Sequence, residues 1–425
     1  MTKRKSLIAT AIFVLVFLLT LIYNIMIFGR NLTVYAADML SSVTVNGLNL
    51  YSGHYLESND STSYSTGAET EPVKYVAWYK DGILILNDYN GGQISTGEDL
   101  TIKLNGDNTI IDTVTGIFAA NCDNLIIDAD SDATLNINVS STEKSVFGIC
   151  DGFSATATVG IVTIKGKATI NINSKTSGGD AYGIYAKTGF NIVGSANLSI
   201  KNTSSKSTSD SSYSILSGEN KPLFNTDGVV TLDNSECENR NYCISANNGI
   251  DMRKGTLICR YKKGSIYSYA VSKTIKTAPD GCILRENPYS LGETVIKSGV
   301  GHIVTVENGE EYYQRNSNQY VVGETVSIKA TIDDLQFKGW ESEGVFFADA
   351  SQRETTFTMV DNDVTVRAVY DVFAKQPVFE RVSDDQGLIS VQLKKKISNN
   401  FDIKLIKLTD EIDDNVSFLF DPVSE

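Results

Sequence analysis

A short β-strand pattern recurs through the middle of the chain with a period near 30 residues, and it constrains the fold more than any other feature. The aliphatic anchors of successive copies are Ile117, Ile149, Ile184, Ile215, Ile244 and Val271. They are 32, 35, 31, 29 and 27 residues apart. One repeat of this length cannot bury its apolar face alone, so several copies must stack on one another.

Two further short strands lie between successive anchors. In Ala168–Ile172 the first, third and fifth side chains are apolar, and the two between them are polar. This two-residue alternation is typical of a strand with one buried face and excludes helical repeats. Three strands per period predict one turn of a three-sided coil. We therefore predict an all-β chain in which residues 82–290 form a right-handed parallel β-helix of about seven coils. An all-β sandwich is the competing fold, and the regular anchor spacing favours the coil.

Other β patterns flank the predicted coils. Residues 38–81 are predicted to form a strand leading into the stack, a polar loop and an N-terminal cap that includes Trp78. A cap is expected because the first coil would otherwise expose a strand edge. Alternating strands over residues 300–371 predict a small β module, and residues 376–425 predict a partial β module or tail.

The first 37 residues have the pattern of an export signal. A basic flank, Lys3-Arg4-Lys5, precedes an uncharged apolar run over residues 6–28 that is long enough to cross a bilayer. Small residues favour cleavage after Ala36, with Ala37 as a second choice, and an uncleaved N-terminal anchor is the alternative. Because the cations precede the apolar run, everything after it is expected outside the cell, with membrane contact through this segment alone.

The charge balance limits the partners of the chain. Its 51 Asp and Glu residues exceed its 37 Lys and Arg residues, and the net charge is −14. A nucleic-acid partner would need a basic patch, and the sequence has none. Calcium is the one cofactor considered, through the carboxylates of Asp128, Asp130 and Asp132 at alternate positions. Because no EF-hand glutamate follows them, an acidic turn is the favoured interpretation, and we predict no metal site.

We predict no catalytic residue. The paired acids of the chain lie beyond the coils, and its two histidines, His54 and His302, lie outside them, so no histidine-based triad can form there. Arg285 is expected in a solvated turn at the end of the stack. The six cysteines show neither a CxxC pair nor zinc spacing. Cys237 with Cys243 would be the local disulfide, but buried free thiols are favoured.

Side-chain parity selects the candidate binding residues. If Ile184 faces inward, strict alternation also turns Tyr182 inward, and the column of Phe147, Tyr182, Tyr213, Tyr242 and Tyr269 becomes an internal or corner stack. The outward column then contains Phe118, Cys150, Tyr185, Leu216, Ser245 and Ser272. We predict that its apolar members Phe118, Tyr185 and Leu216 bind a ligand. The alternative is that the strand leading into the stack covers them.

Two segments resemble known families. Gly82–Asn87, Leu104–Ile110 and the Tyr-Gly-Ile coils resemble exported β-helix proteins of Gram-positive bacteria that are labelled carbohydrate-binding. The phrases Phe337–Trp340, Thr356–Met359 and Asp363–Tyr370 resemble the divergent internalin-type B repeat, a stalk module of bacterial surface proteins. The resemblance implies a surface protein and specifies no ligand.

Three functions follow from these observations. The leading hypothesis is a non-enzymatic cell-surface or secreted protein that binds a glycan or another cell-surface ligand through its β-helix, with the B repeat as a stalk. A polysaccharide lyase or hydrolase with an unrecognised site is the second. A passive surface spacer is the third. The sequence leaves the oligomeric state open.

Overall fold

A computed structural model describes residues 42–150, 160–205, 211–238, 240–246, 248–262, 268–271, 279–287, 291–311, 318–333, 335–371, 378–381 and 387–390. The predicted export signal, residues 1–37, lies outside the described residues, as does most of the predicted tail. Every regular element in the described part is a β-strand, so the all-β prediction is confirmed. The same residues contain no helix long and apolar enough to cross a membrane.

The first 23 strands form two large sheets. They are β1 (Ser42–Val45), β2 (Leu48–Tyr51), β3 (His54–Leu56), β4 (Ala77–Lys80), β5 (Ile83–Asn87), β6 (Asn90–Gly91), β7 (Ile94–Thr96), β8 (Leu100–Asn105), β9 (Asp107–Asp112), β10 (Thr115–Ala119), β11 (Asn124–Ser141), β12 (Val146–Cys150), β13 (Ile161–Thr176), β14 (Ala181–Ala186), β15 (Gly189–Gly194), β16 (Asn197–Ser204), β17 (Ser211–Ser217), β18 (Leu223–Cys237), β19 (Arg240–Ala246), β20 (Asp251–Lys262), β21 (Ser268–Val271), β22 (Cys282–Asn287) and β23 (Leu291–Ser298).

The chain alternates between the two sheets. The first sheet has nine strands in the order β2-β1-β7-β10-β12-β14-β17-β19-β21. The second sheet has fourteen strands, and its main path runs β22-β23-β20-β18-β15-β13-β11-β8-β5-β4-β3. From β7 to β21 the neighbours in the first sheet are parallel. Each of the repeated anchors, from Ile117 to Val271, pairs in register with the anchor of the next copy. The sequence period is therefore the length of chain that separates neighbouring strands of one sheet.

The second and third strands predicted for each copy often merge into one long strand. Both β11 and β13 span the two predicted strands, and their pairing shifts register between Ala129 and Ala133. Such a shift bends the strand locally. Aliphatic side chains line the inside of these strands, as in the in-register column Leu135, Ile170, Leu198, Val230 and Leu257, which are all buried. Burying each of them contributes about 1.5–3 kcal/mol of transfer free energy.

Antiparallel strands close both ends of the second sheet. At the start of the chain β4, which contains the buried Trp78, pairs with β3 on one side and β5 on the other. At the far end β23 lies between β20 and β22 and runs antiparallel to both. A parallel stack built from one repeated strand type would otherwise present unpaired backbone groups at each end, where other chains could add.

The remaining strands are β24 (His302–Glu307), β25 (Gly309–Glu311), β26 (Gln319–Tyr320), β27 (Thr325–Ala330), β28 (Gln336–Glu341), β29 (Glu354–Thr358), β30 (Val364–Asp371), β31 (Val378–Arg381) and β32 (Gly387–Ser390). The chain divides into two compact units. The first comprises the described residues of Met1–Thr305, Tyr313–Val326 and Thr358–Val364, and the second comprises those of Val306–Tyr312, Ser327–Phe357 and Thr365–Glu425.

The second unit has an aromatic core of its own. Strand β28 pairs antiparallel with β30, and β25 pairs antiparallel with β27. Trp340 is buried, and its ring lies 6.0 Å from that of Phe337 and 6.3 Å from that of Phe347. Its indole N–H donates to the carbonyl of Gln352 at 3.0 Å. Trp340 is therefore a core residue, as its place in the sequence pattern indicates.

Candidate binding surface

The predicted ligand-binding residues lie in one column of the first sheet. Phe118 pairs with Cys150, Cys150 with Tyr185, and Tyr185 with Leu216. The side chains of Phe118, Tyr185 and Leu216 are half-buried and alternate with buried neighbours, so they lie on the outer side of the sheet. We call these three residues the outer stripe.

The strand leading into the stack joins the first sheet at its edge. Strand β1 pairs antiparallel with β7, where Thr44 lies opposite Ser95, and Ser95 is the register partner of Phe118. The strand thus extends the sheet sideways and lies in its plane. This pairing places it beside the outer stripe, in contrast to the alternative in which it lies across the stripe.

The parity argument for the tyrosine column is wrong. Around Ile184 the buried residues are Ala181, Gly183, Ile184 and Ala186, so two successive residues face inward and the alternation breaks between Tyr182 and Ile184. Tyr182 therefore lies on the outer side together with Tyr185. The strands β17 and β19 show the same break, which places Tyr213 and Tyr242 outside as well.

In β14 a close interior approach accompanies the break. A Cβ on Gly183 would lie 2.4 Å from Cγ2 of Ile200, so in this copy the inward position before the anchor has no room for a larger side chain. The carbonyl of Tyr182 accepts a hydrogen bond from the buried Ser174 hydroxyl at 2.8 Å. Strand β19 has the equivalent bond, from the Asn234 amide to the Tyr242 carbonyl at 2.6 Å. In both strands an interior side chain thus donates to the carbonyl of the tyrosine at the break.

The outward aromatic rings stack on one another along the sheet. The ring centroids of Phe147 and Tyr182 are 4.5 Å apart with planes within 4°, those of Tyr182 and Tyr213 are 5.7 Å apart, and those of Tyr213 and Tyr242 are 5.2 Å apart. We call these four residues the aromatic ladder. Tyr269 continues its register in β21, but its side chain lies outside the described part. Sequence reasoning assigned this column to an internal or corner stack. Phe147 is indeed buried, at 4% exposed, but Tyr182, Tyr213 and Tyr242 are half-buried on the outer side of the sheet.

The ladder limits how a ligand can use its rings. Tyr182 and Tyr213 each have a neighbour on both faces, so neither presents a free face on which a sugar ring could stack. Tyr185 has a different orientation, with its plane 81° from Tyr182 and 85° from Phe147. The ladder thus presents ring edges, and Tyr185 joins it to the outer stripe. Phe147 is buried, and the half-buried rings of Tyr182, Tyr185, Tyr213 and Tyr242 form a continuous aromatic surface across successive strands.

The acidic turn between two strand segments of β11 is neutralised by lysines. Lys165 Nζ lies 3.4 Å from Asp128, and Lys103 Nζ lies 2.9 Å from Asp130. Two of the three candidate calcium ligands therefore have cationic partners from neighbouring strands. Within the described residues, no group of three His, Cys, Asp or Glu side chains is placed to hold a metal ion.

Five of the six cysteines have described side chains, and all five are free thiols. Four are buried, and Cys282 is half-buried. Cys237 is not joined to Cys243; its thiol donates to the carbonyl of Asn202 at 3.5 Å. Burial raises the pKa of Cys237 to about 12 and that of Cys122 to about 11, so both stay protonated at neutral pH.

Arg285 was predicted in a solvated turn, and this prediction is wrong. It lies in β22 and is 4% exposed. Its guanidinium pairs with Glu324, and it lies 4.6 Å from the ring centroid of Tyr320. The sequence offered no local signal for this burial, because Glu324 is 39 residues away.

Residues 302–373 match the family model of the divergent InlB B-repeat domain. The B repeat predicted over residues 300–371 is thereby confirmed. Domains of this family are typical of surface-exposed bacterial proteins. No curated protein and no solved structure shows significant similarity to the chain. The family match covers the B repeat and does not reach the aromatic surface.

Proposed function

We propose that this chain is an exported, surface-associated, non-enzymatic protein that binds a glycan through the aromatic surface of its first sheet. In this proposal the stacked strands are the coils of a right-handed parallel β-helix, and the B repeat serves as a stalk. The in-register anchors and the regular alternation of the chain between two parallel sheets support the coil. The match over residues 302–373 supports the surface location.

The binding proposal rests on the position of Tyr185, where the aromatic ladder meets the outer stripe. Its ring contacts Phe147 and Tyr182 edge to face, while its backbone register continues to Leu216. A long ligand lying across the strands would meet tyrosine edges, which carry hydroxyl groups, beside an apolar column. Aromatic surfaces with polar tips of this kind are suited to partners that are partly apolar and partly hydrogen-bonding.

The net charge of the chain favours neutral glycans over acidic glycans as ligands. With a net charge of −14, the protein repels acidic polysaccharides unless a divalent cation bridges the two. A neutral glycan carries no such electrostatic cost. We therefore expect binding to neutral polysaccharides in the absence of calcium, and any binding to acidic polysaccharides to require it.

A pull-down with neutral and acidic polysaccharides, with and without calcium, tests the proposal. Tyr185→Ala and Leu216→Ser are expected to lose retention on the polysaccharide that the wild-type chain binds. Val229→Ala is the matched control, since Val229 is an exposed apolar residue of the second sheet. Absence of binding to every polysaccharide, or equal loss in the control variant, would contradict the proposal.

A passive surface spacer is the second candidate. It is favoured because the rings of the aromatic ladder cover one another's faces. This stacking stabilises the sheet without any ligand. This candidate expects ladder variants to unfold more easily while no polysaccharide is retained. Release of soluble sugar products in the same assay would contradict both candidates and favour an enzyme.

A further inference from the structure

At one inward-facing position of the first sheet, the residue differs between successive strands of the stack. The residues directly before the first five anchors are Gly116, Gly148, Gly183, Ser214 and Cys243. A Cβ on either of the first two would lie 2.3 Å from Cγ2 of an isoleucine in the second sheet, and on the third it would lie 2.4 Å away. Glycine at these positions therefore makes room for a large side chain opposite.

The opposite position changes in the complementary direction. In the second sheet the residues opposite this position are register partners of one another in successive coils. They are Ile137, Ile172, Ile200, Leu232 and Cys259. Only at the last pair, where the first-sheet residue is Cys243, is the second-sheet residue much smaller than isoleucine. A smaller side chain opposite a larger one is what close packing of an interior requires.

The exchange brings two thiols together in the last of these coils. Cys243 and Cys259 are both 0% exposed, and they occupy the facing positions that Gly183 and Ile200 hold two coils earlier. The Cys243 sulfur also lies 3.2 Å from the carbonyl oxygen of Arg260, beside Cys259 in sequence. Of the five facing pairs, this is the one with sulfur on both sides.

We propose that Cys243 and Cys259 form an intramolecular disulfide when the chain folds in the presence of a small-molecule disulfide such as oxidised glutathione. One cysteine thiolate attacks the glutathione disulfide, which forms a mixed disulfide and releases one glutathione thiolate. The second cysteine then attacks the protein-bound sulfur and releases the other glutathione. The two cysteine thiols lose two protons and two electrons, and one oxidised glutathione becomes two reduced molecules.

The burial of Cys243 determines the stage of folding at which the disulfide can form. Desolvation raises the pKa of Cys243 well above its usual value, so in the closed stack the thiol is a poor nucleophile. The bond therefore forms while β19 and β20 assemble, before the interior closes. The same burial then shields the finished disulfide from reducing agents.

Cys237 is the competitor for Cys243. It lies at the end of β18 and is the partner favoured by sequence proximity. Its thiol contacts the carbonyl of Asn202, whereas the Cys243 thiol contacts the carbonyl of Arg260, the residue next to Cys259. Trypsin separates all three cysteines, because cleavage sites at Arg240, Arg253, Lys254 and Arg260 lie between or beside them.

To test this pairing, the full chain is unfolded with reductant and refolded in a glutathione redox buffer. Free thiols are then blocked with N-ethylmaleimide in denaturant, and the chain is digested with trypsin without reduction. Mass spectrometry is expected to find the peptide Asn241–Arg253 linked to Gly255–Arg260, and the number of alkylated cysteines is expected to fall by two. A linked peptide that contains Cys237, or complete alkylation of Cys243 and Cys259, would overturn the proposal.

Variants taken from neighbouring coils keep the test independent of misfolding. Cys243→Ser copies the residue at Ser214, and Cys259→Leu copies Leu232, so each replacement has a precedent at its own position. Both variants are expected to lose the linked peptide and retain the β-sheet circular dichroism of the parent. Cys237→Ser is expected to keep the linked peptide, and its loss in that variant would contradict the pairing.

Discussion

Arg285 and Glu324 form a bidentate ion pair in a buried site. The guanidinium donates to the two carboxylate oxygens at 2.8 and 2.6 Å, and the side chains are 5% and 10% exposed. The Lys297 ammonium lies 3.5 Å away, and the Val321 N–H donates to the same carboxylate at 2.7 Å. All four residues belong to the first unit, so the pair fastens the segment around Glu324 to the last strands of the second sheet.

Removing one partner should destabilise the first unit strongly. Arg285→Ala leaves the Glu324 carboxylate buried with part of its charge uncompensated, and such losses cost about 3–5 kcal/mol of unfolding free energy. Urea unfolding followed by circular dichroism measures the change. The matched control is Arg253→Ala, which removes a bidentate but exposed pair with Asp251 and should leave the midpoint unchanged. Similar midpoints for both variants would contradict the assigned role of the buried pair.

The same pair should make stability depend on acid pH. Burial by itself raises the pKa of Glu324, but the hydrogen bonds and charge of Arg285 outweigh burial and hold the pKa below its usual value near 4.5. Because the folded pKa is depressed, the stabilisation is present above about pH 4.5 and is lost as pH falls toward the folded pKa. Thermal midpoints from pH 7 to pH 3 should therefore fall more steeply in the parent than in Glu324→Gln. Parallel profiles would contradict this linkage.

Overpacking at Gly183 should destabilise the stack. The Cβ of Gly183→Ala would lie 2.4 Å from Ile200 and 2.5 Å from the Ser214 carbonyl oxygen, and overpacking of this kind costs about 1–3 kcal/mol. Gly97→Ala is the control, because the nearest atom to its Cβ is 4.0 Å away. Urea midpoints measure both effects. Ile200→Ala removes both the Cγ2 and the Cδ1 atoms that the new Cβ would meet, so the double variant should lose less stability than the two single variants summed. Additive losses would instead place the strain at the Ser214 carbonyl.

The ladder tyrosines should be energetically coupled. Tyr182 and Tyr213 stack with centroids 5.7 Å apart, and aromatic pairs contribute about 0.5–1.5 kcal/mol beyond the area they bury. A double-mutant cycle with Tyr182→Leu and Tyr213→Leu should measure a coupling in that range from urea unfolding. A second cycle that pairs Tyr213→Leu with Val229→Ala, on the other sheet, should give none. Equal coupling in both cycles would indicate a global effect on folding.

The tyrosine column shows where sequence parity fails. Counting back two positions from the buried Ile184 reaches Tyr182, and strict alternation would turn that ring inward. The count holds only within an uninterrupted pleat. Here Gly183 also faces inward, and it can do so because it has no side chain to collide with Ile200. Glycine before the anchor in three successive copies was the available signal for this break.

The local sequence by itself determined the strand period, the anchors and the choice of an all-β chain, since these depend on alternation and spacing along one stretch of residues. It also specified the B repeat through phrases confined to about 70 residues. Only the tertiary structure decided which way the ladder tyrosines face and that Arg285 is buried. Those outcomes depend on Ile200 and Glu324, which are distant in sequence from the sites that they contact. A local sequence pattern cannot specify a contact that forms only when distant segments fold together.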